Sequence, residues 1–348
     1  MYYSSLEELQ SGFTKIEEAK LLLFIGEETS EEEISNLFSF LNQQDVDYMG
    51  GIFPGVIYQD TSYEKGFVIK NIYNVVFAQI FPLNSEAVVL PALQNKDISS
   101  LVLLDGLSPY INKFLKLLFT NYTDTVKYFG GGTGSIKLEQ KPSVFCNGKL
   151  CQDSAVVVLF NKEVEIYTEH GWEIMEGPHV ITAANENILE EINWRNGLDF
   201  YQEVIYDKIG QQLTKDNFFD IIKGFPLGIE SEDSFIVRDP LAIVDDKKIL
   251  CVSDIPNNSN AYILKGDKSS LLESSNKLCI DNRKSNSFLF DCVSRALFLE
   301  EDLHTELQNV SNKTPNEVVG ALTIGEIAST KKGKLEFLNK TLVYCEID

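Results

Sequence analysis

Residues 126–137 read VKYFGGGTGSIK: an aromatic, strand-like run, three glycines, and a fourth glycine two residues on. Glycine lacks Cβ, so such a run brings main-chain amides close to another segment or to a ligand. The stretch has two counterparts, VDYMGGIFPGVI at 46–57 and VVGALTIGEI at 318–327. Each closes a segment with the same order of parts, and the three are expected to pack as equivalents.

The order is strand, helix, strand. KLLLFI at 20–25 is a continuous apolar run ended by Gly26. Ser30 and Glu33 make a capping box, and Ile34, Leu37, Phe38 and Leu41 give a helical stripe. A short strand at 45–49 leads into Gly50-Gly51. The pattern recurs as SSLVLL at 99–104, a turn at Asp105-Gly106, and a helix capped by Ser108 with Pro109 in its first turn. Ile111, Phe114, Leu115 and Leu118 are its stripe, and 126–129 is the strand before the glycines. Gly26 to Gly51 and Gly106 to Gly131 are both spaced by 25 residues, and Tyr48 and Tyr128 fall at equal offsets. One repeated supersecondary unit explains both. A third unit runs from SFLFD at 287–291 through a helix over 292–309 to 318–327, and a last strand spans 335–347.

Between the units lie β-rich stretches. Strands at 56–58 and 67–73 are expected to form a hairpin, with another strand at 75–81. Asn147-Gly148 marks a second hairpin. Helices are expected at 6–19, 198–209 and 218–222, a short helix or a loop at 268–277, and strands through 234–267 with turns at 245–246, 256–257 and 266–267. The polar run 185–196 suits a boundary. The expected fold is α/β to α+β, with mixed sheets and repeated strand-helix-strand units in two domains, 1–190 and 191–348.

At 348 residues with 52 acidic and 30 basic side chains, the chain carries a formal net charge of −22. That excess repels phosphate backbones and anionic lipid, so neither nucleic acid nor a membrane is an expected partner. MYYSSLEELQ has neither the basic flank nor the apolar core of a leader, and the apolar runs are too short to span a bilayer. A cytoplasmic setting is expected, with the six cysteines, which form no CxxC pair, reduced.

Parallel strands joined by helix crossovers would set the turns at their carboxyl ends along one edge, where open α/β sheets bind ligands. This predicts a small-molecule crevice lined by backbone amides of Gly51, Gly130 and Gly131 and by Asp105. Glu326 stands at a comparable glycine turn. Asp105 and Glu326 suit acid/base work or simple turn formation. Arg238 and Arg295 are candidates to clamp a carboxylate, or else structural ion-pair partners, Asp239 being the neighbour of the first. Cys292, at the expected start of a helix, is a candidate nucleophile or a small core residue. His304 lies too far along that helix to complete a dyad. His170 and His179 flank glycine turns and are candidate axial haem ligands or ordinary satisfied histidines. GGGTGSIK is not a P-loop, because its lysine does not directly follow the last glycine.

The stretch HGWEIMEGPHVITAANENILEEINWRNGLDFYQEVI from His170 resembles the junction of the FIST N and FIST C domains. FGGGTGS and FCNGKLCQDSAVVVLF upstream are similar to FIST N. PLGIESEDSFIVRDPLAI, FDCVSRALFLEEDLHTEL and GALTIGEIASTKKGKLEFLNKTLVY downstream resemble FIST C in its usual order. The resemblance covers nearly the whole chain. It implies a stand-alone sensory module that binds a small, amino-acid-like ligand and signals to a partner such as a histidine kinase. It also admits haem as cofactor and nitric oxide sensing. The competing class is a thiol-dependent enzyme using Cys292.

Overall fold

The computed structural model describes residues 1–92, 97–231, 234–245, 247–278 and 284–348. Asp246, half of an expected turn, lies outside the described residues, and so does Cys279. The five described cysteines are free. The fold is α+β, built from mixed sheets.

Each of the three expected units forms the parallel centre of its own six-stranded sheet. Lys20–Gly26 pairs with Tyr48–Phe53, Ile98–Asp105 with Val126–Thr133, and Asn286–Cys292 with Val318–Thr323. After each unit the chain leaves its sheet and donates its next strand to another. Gly55–Tyr58 joins the third unit, Val144–Cys146 joins the first, and Glu326–Ser329 joins the second. This cyclic exchange ties the three sheets into one closed body. Their inner faces share a single core, in which the Phe290 ring lies 6.2 Å from Phe24 and 6.4 Å from Phe129. The exchange also corrects the hairpin expected between 56–58 and 67–73. Gly55–Tyr58 turns back on Thr61–Tyr63, while Phe67–Ile72 pairs with Lys20–Gly26 in a different sheet.

Outside, the helices bury their apolar stripes as the spacing predicts: Ile34, Leu37, Phe38 and Leu41 on one, Ile111, Phe114, Leu115 and Leu118 on the next. The Ser30–Glu33 capping box is formed. Tyr48 and Tyr128 are true equivalents, since each buried ring bonds the carbonyl ten residues earlier, Phe38 O and Leu118 O, at 3.4 Å. Ser108 does not cap. The helix starts at Ile111, and the Ser108 hydroxyl donates to Asp153 Oδ1 at 2.6 Å. The opening helix stops at Gly12, where the chain turns extended at Phe13. The helix expected over 292–309 splits into Val293–Leu299 and Leu303–Ser311, because Glu300 takes positive φ.

The glycine runs lie inside strands rather than after them. Gly50, Gly130 and Gly320 face Leu23, Val102 and Leu289 in register. A Cβ there would sit 1.9, 2.0 and 1.7 Å from those residues' carbonyl oxygens. By the same registers Gly26 is equivalent to Asp105 and Cys292, not to Gly106. The equal 25-residue spacing therefore holds for the second strand of the unit but slips by one on the first.

The second body is an antiparallel sheet formed between Glu173 and Lys265, with helices Gly197–Ile209 and Phe218–Ile222 packed on it. The cut expected near residue 190 runs through the hairpin of Glu173–Asn185 and Ile188–Ile192. In space, the strands from Asn286 onward return to the first body, where Leu342–Ile347 pairs with Val164–Glu169. Among the described residues no helix is long and apolar enough to cross a membrane.

Candidate functional site

The three parallel pairs present three carboxyl-terminal edges, and each has its own surroundings. At the second unit the expected Asp105 crevice is nearly filled. The Asp105 carboxylate accepts from Leu107 N at 3.1 Å, Asp153 N at 2.9 Å and Gln140 Nε2 at 3.3 Å. The space beside Ser108 and Ile111 is only about 60 Å3. Burial raises the Asp105 pKa, and its hydrogen bonds oppose that. The first unit opens on a cleft of about 540 Å3, lined among others by Glu27, Glu31, Glu139, Lys137 and Lys141. The third unit meets the second body across a cavity of about 400 Å3.

The third cavity combines apolar walls with buried polar groups. Leu241, Leu250 and Val252 come from the second body, Val293, Leu297 and Ile324 from the third unit, and Ile136 and Leu138 from the segment after the glycine run. Its polar lining includes Asp239, Ser294, Cys292 and Asn339. Asn339 is 1% exposed. Its Nδ2 donates to Leu338 O at 2.9 Å, and its Oδ1 has no hydrogen-bond partner. An unpaired acceptor in such a place costs free energy until something donates to it.

Turns place these groups. The strand expected over 335–347 is two strands, Leu335–Leu338 and Leu342–Ile347. Lys340 lies between them at positive φ, and its side chain turns inward. The Lys340 ammonium meets Asp239 at 3.1 Å, Ser294 Oγ at 2.8 Å and Lys223 O at 2.9 Å, and lies 5.0 Å from the Trp172 ring centroid. Trp172 Nε1 donates to Lys340 O at 3.0 Å. Gly325, at φ +81°, makes the tight turn that aims Glu326 into the protein.

Behind the cavity wall lies an ionisable cluster. Glu326 accepts from the Thr323 hydroxyl at 2.9 Å and from Thr341 N at 3.2 Å. Burial pushes it up to about 8, against the pull of those bonds. Burial and the Glu306 charge hold Asp291 well above the usual carboxylate range. Arg295, fully buried, donates Nε to both Glu306 oxygens at 3.0 Å and Nη2 to Leu271 O at 2.8 Å and Ser274 Oγ at 2.9 Å. Two buried ion pairs, Lys340 with Asp239 and Arg295 with Glu306, accompany these carboxyls.

The Glu326 proton has a measurable consequence. Above about pH 4.5 the unfolded carboxyl releases its proton, while the folded one keeps it to about 8. In that window the folded state binds more protons, so this group's contribution to stability falls as pH rises and levels off beyond it. Urea denaturation between about pH 6 and 8.5 is expected to show wild type losing stability relative to Glu326→Gln. Parallel curves for the two proteins would contradict the assignment.

The other sequence candidates fall elsewhere. Gly51, Gly130 and Gly131 are buried between strands. A Cβ on Gly51 would lie 2.3 Å from Thr133 Cγ2, and one on Gly131 2.5 Å from Thr323 Cγ2, so these bare positions meet the next unit of this same chain. Arg238 is buried and held by backbone carbonyls, Asp254 at 2.8 Å, Phe337 at 3.1 Å and Val237 at 3.3 Å, while Asp239 turns to Lys340 instead. Arg295 is committed to Glu306. Cys292 does line the cavity, but burial, then the charges of Glu326 and Asp239, drive its thiol pKa well above normal, the opposite of what a nucleophile needs. His304 Nδ1 sits 2.8 Å from Asp60 O.

His170 and His179 do not fit a haem. His170 Nδ1 accepts from Trp172 N at 3.1 Å, and burial pushes the ring down to about 4. His179 Nδ1 contacts Asn193 Nδ2 at 3.2 Å, and its ring packs edge-on against Phe200. Neither lines any of the three edge cavities. Among the described residues no group of three or more His, Cys, Asp or Glu is placed to hold a metal.

Sequence reading missed Asn339, Lys340 and the role of Asp239. The one available signal was the polar triplet Asn339-Lys340-Thr341, which interrupts an otherwise apolar strand pattern.

Comparison with protein families finds the FIST N domain over residues 20–195 and the FIST C domain over 197–329. No curated protein matches the chain.

Proposed function

We propose, from the premise that the chain belongs to the FIST family of sensory domains, that the third-unit cavity holds a small ligand whose presence is passed to a protein partner. The observation that carries this is the 400 Å3 apolar cavity between the two bodies, with the buried Asn339 Oδ1 unpaired in its lining. Volume and lining suit a small molecule with an apolar body and few polar contacts. The site is read as a binding site rather than a thiol enzyme's, because burial drives the Cys292 thiol pKa well above normal.

Residues 134–142 supply a route from ligand to partner. This segment covers the cavity with Ile136, 41% exposed, and Leu138, 50% exposed and at φ +55°. Lys137 lines both this cavity and the first-unit cleft. Its tethers are few, among them Ile136 N to Glu27 Oε2 at 3.0 Å and Gln140 Nε2 to Asp153 Oδ1 at 2.8 Å. An exposed segment with few tethers belongs to the low-stability end of a fold, where ligand-linked motion is drawn from. A histidine kinase and a cytoplasmic setting are parts of the same proposal.

Native mass spectrometry tests it. The purified protein is expected to retain a non-covalent small mass that is lost on unfolding. Ala242→Trp, which fills the cavity, is expected to abolish it while the protein stays folded by circular dichroism. A bare polypeptide mass for wild type, or an adduct indifferent to Ala242→Trp, would overturn the assignment.

A further inference from the structure

We infer that the ligand class of this cavity is an apolar primary amine, its ammonium donating to Asn339 Oδ1 and facing the Asp239 carboxylate; this rests on the cavity being the ligand site. Asn339 is 1% exposed and Asp239 is fully buried, and both line the cavity. Asn339 Nδ2 donates one of its two N–H bonds to Leu338 O, and its oxygen is left unsatisfied.

The possible anion-binding groups are already committed or out of reach. The Lys340 ammonium has three partners, Asp239, Ser294 and Lys223 O. Arg295 is bound to Glu306, and Arg238 to carbonyls. Neither arginine is part of the lining, and among the described residues the one lining cation, Lys137, is exposed on the covering segment. A carboxylate head placed at the polar end would face the Asp239 carboxylate and the unpaired Asn339 oxygen, with the second Asn339 N–H as a donor against these two acceptors. That repulsion selects against anions as the acceptors select for donors.

The walls fix the rest of the molecule. Leu241, Leu250, Val252, Val293, Leu297 and Ile324 offer dispersion contacts and nothing to hydrogen-bond. An aryl- or alkyl-amine matches them, whereas a polar side chain would lose its hydration without return.

Isothermal titration of the full chain with phenethylamine, ethylbenzene and 3-phenylpropionate separates the cases. Phenethylamine is expected to bind about tenfold or more tightly than ethylbenzene, as a charge-assisted hydrogen bond requires, and the carboxylate is expected not to bind. Asn339→Leu should remove most of the amine's advantage while leaving ethylbenzene unchanged. Asn339→Asp, which keeps an acceptor oxygen, should retain it. Binding of 3-phenylpropionate as tight as the amine's, or equal losses for all probes in Asn339→Leu, overturns the inference. Ethylbenzene binding that Ala242→Trp abolishes, with no gain for the amine, overturns the amine class but keeps the cavity as a site. No binding of any probe overturns both.

Discussion

Replacing Arg295 by methionine is expected to cost about 3–5 kcal/mol of stability, because it strands Glu306 as a buried charge with no partner. Both side chains have zero exposure. The guanidinium also gathers the His170 and Leu271 carbonyls and the Ser274 hydroxyl, so it pins the third unit to the segment leading into the second body and to the helix Lys268–Lys277. A domain of ordinary stability has only about 5–15 kcal/mol to lose. The double variant Arg295→Met/Glu306→Met should recover most of the loss, since a matched apolar pair removes the desolvation cost together with the ion pair. Urea denaturation of both variants measures this. A single-variant loss below about 1 kcal/mol, or a double variant no better than the single, would show that the pair is not what holds this joint. The contrast with the carboxylate-clamp reading is direct, because a ligand clamp would sacrifice affinity and leave folding intact.

Gly130→Ala is the second large effect, expected at about 2–6 kcal/mol from overpacking and backbone strain together. The added Cβ would lie 2.0 Å from the Val102 carbonyl oxygen, and the residue sits at φ +141°. Backbone in a parallel pair cannot step aside without breaking the ladder. Gly210→Ala is the control. It is also at positive φ, +70°, but nothing lies within 4 Å, so it should cost only about 1 kcal/mol. Thermal unfolding and soluble yield distinguish them. Equal effects at the two positions would mean that conformation alone, not the strand contact, demands glycine at 130.

Much of the local structure was legible in the sequence. The stripe through Ile34 and Leu41, the Ser30–Glu33 box and the Asn147-Gly148 hairpin each depend on neighbours within a few residues, and each is present. The repeated unit was legible for the same reason. What failed needed distant partners. Ser108 has the chemistry of a cap, but Asp153 claims its hydroxyl. The 55–58 strand has a nearby hairpin partner, yet its other edge pairs with residues 319–322. Asp105 and Cys292 occupy equivalent places at strand ends, but the second body leaves about 400 Å3 beside the Cys292 edge and only about 60 Å3 near the other.

The sequence by itself determined most of the elements and the three strand-helix-strand units, because periodicity, caps and turn residues act over a few positions of chain, and its ordered motifs carried the FIST resemblance. Tertiary structure alone decided that the glycines pack strands, that Arg295 pairs with Glu306 and Arg238 with backbone carbonyls, and that a cavity of about 400 Å3 lies at the third edge. Its lining comes from residues near 136, 239, 292 and 339. Groups that far apart come to line one cavity only through the exchange of strands between sheets and the fold-back of the second body, and no local pattern encodes which edge that body will cover.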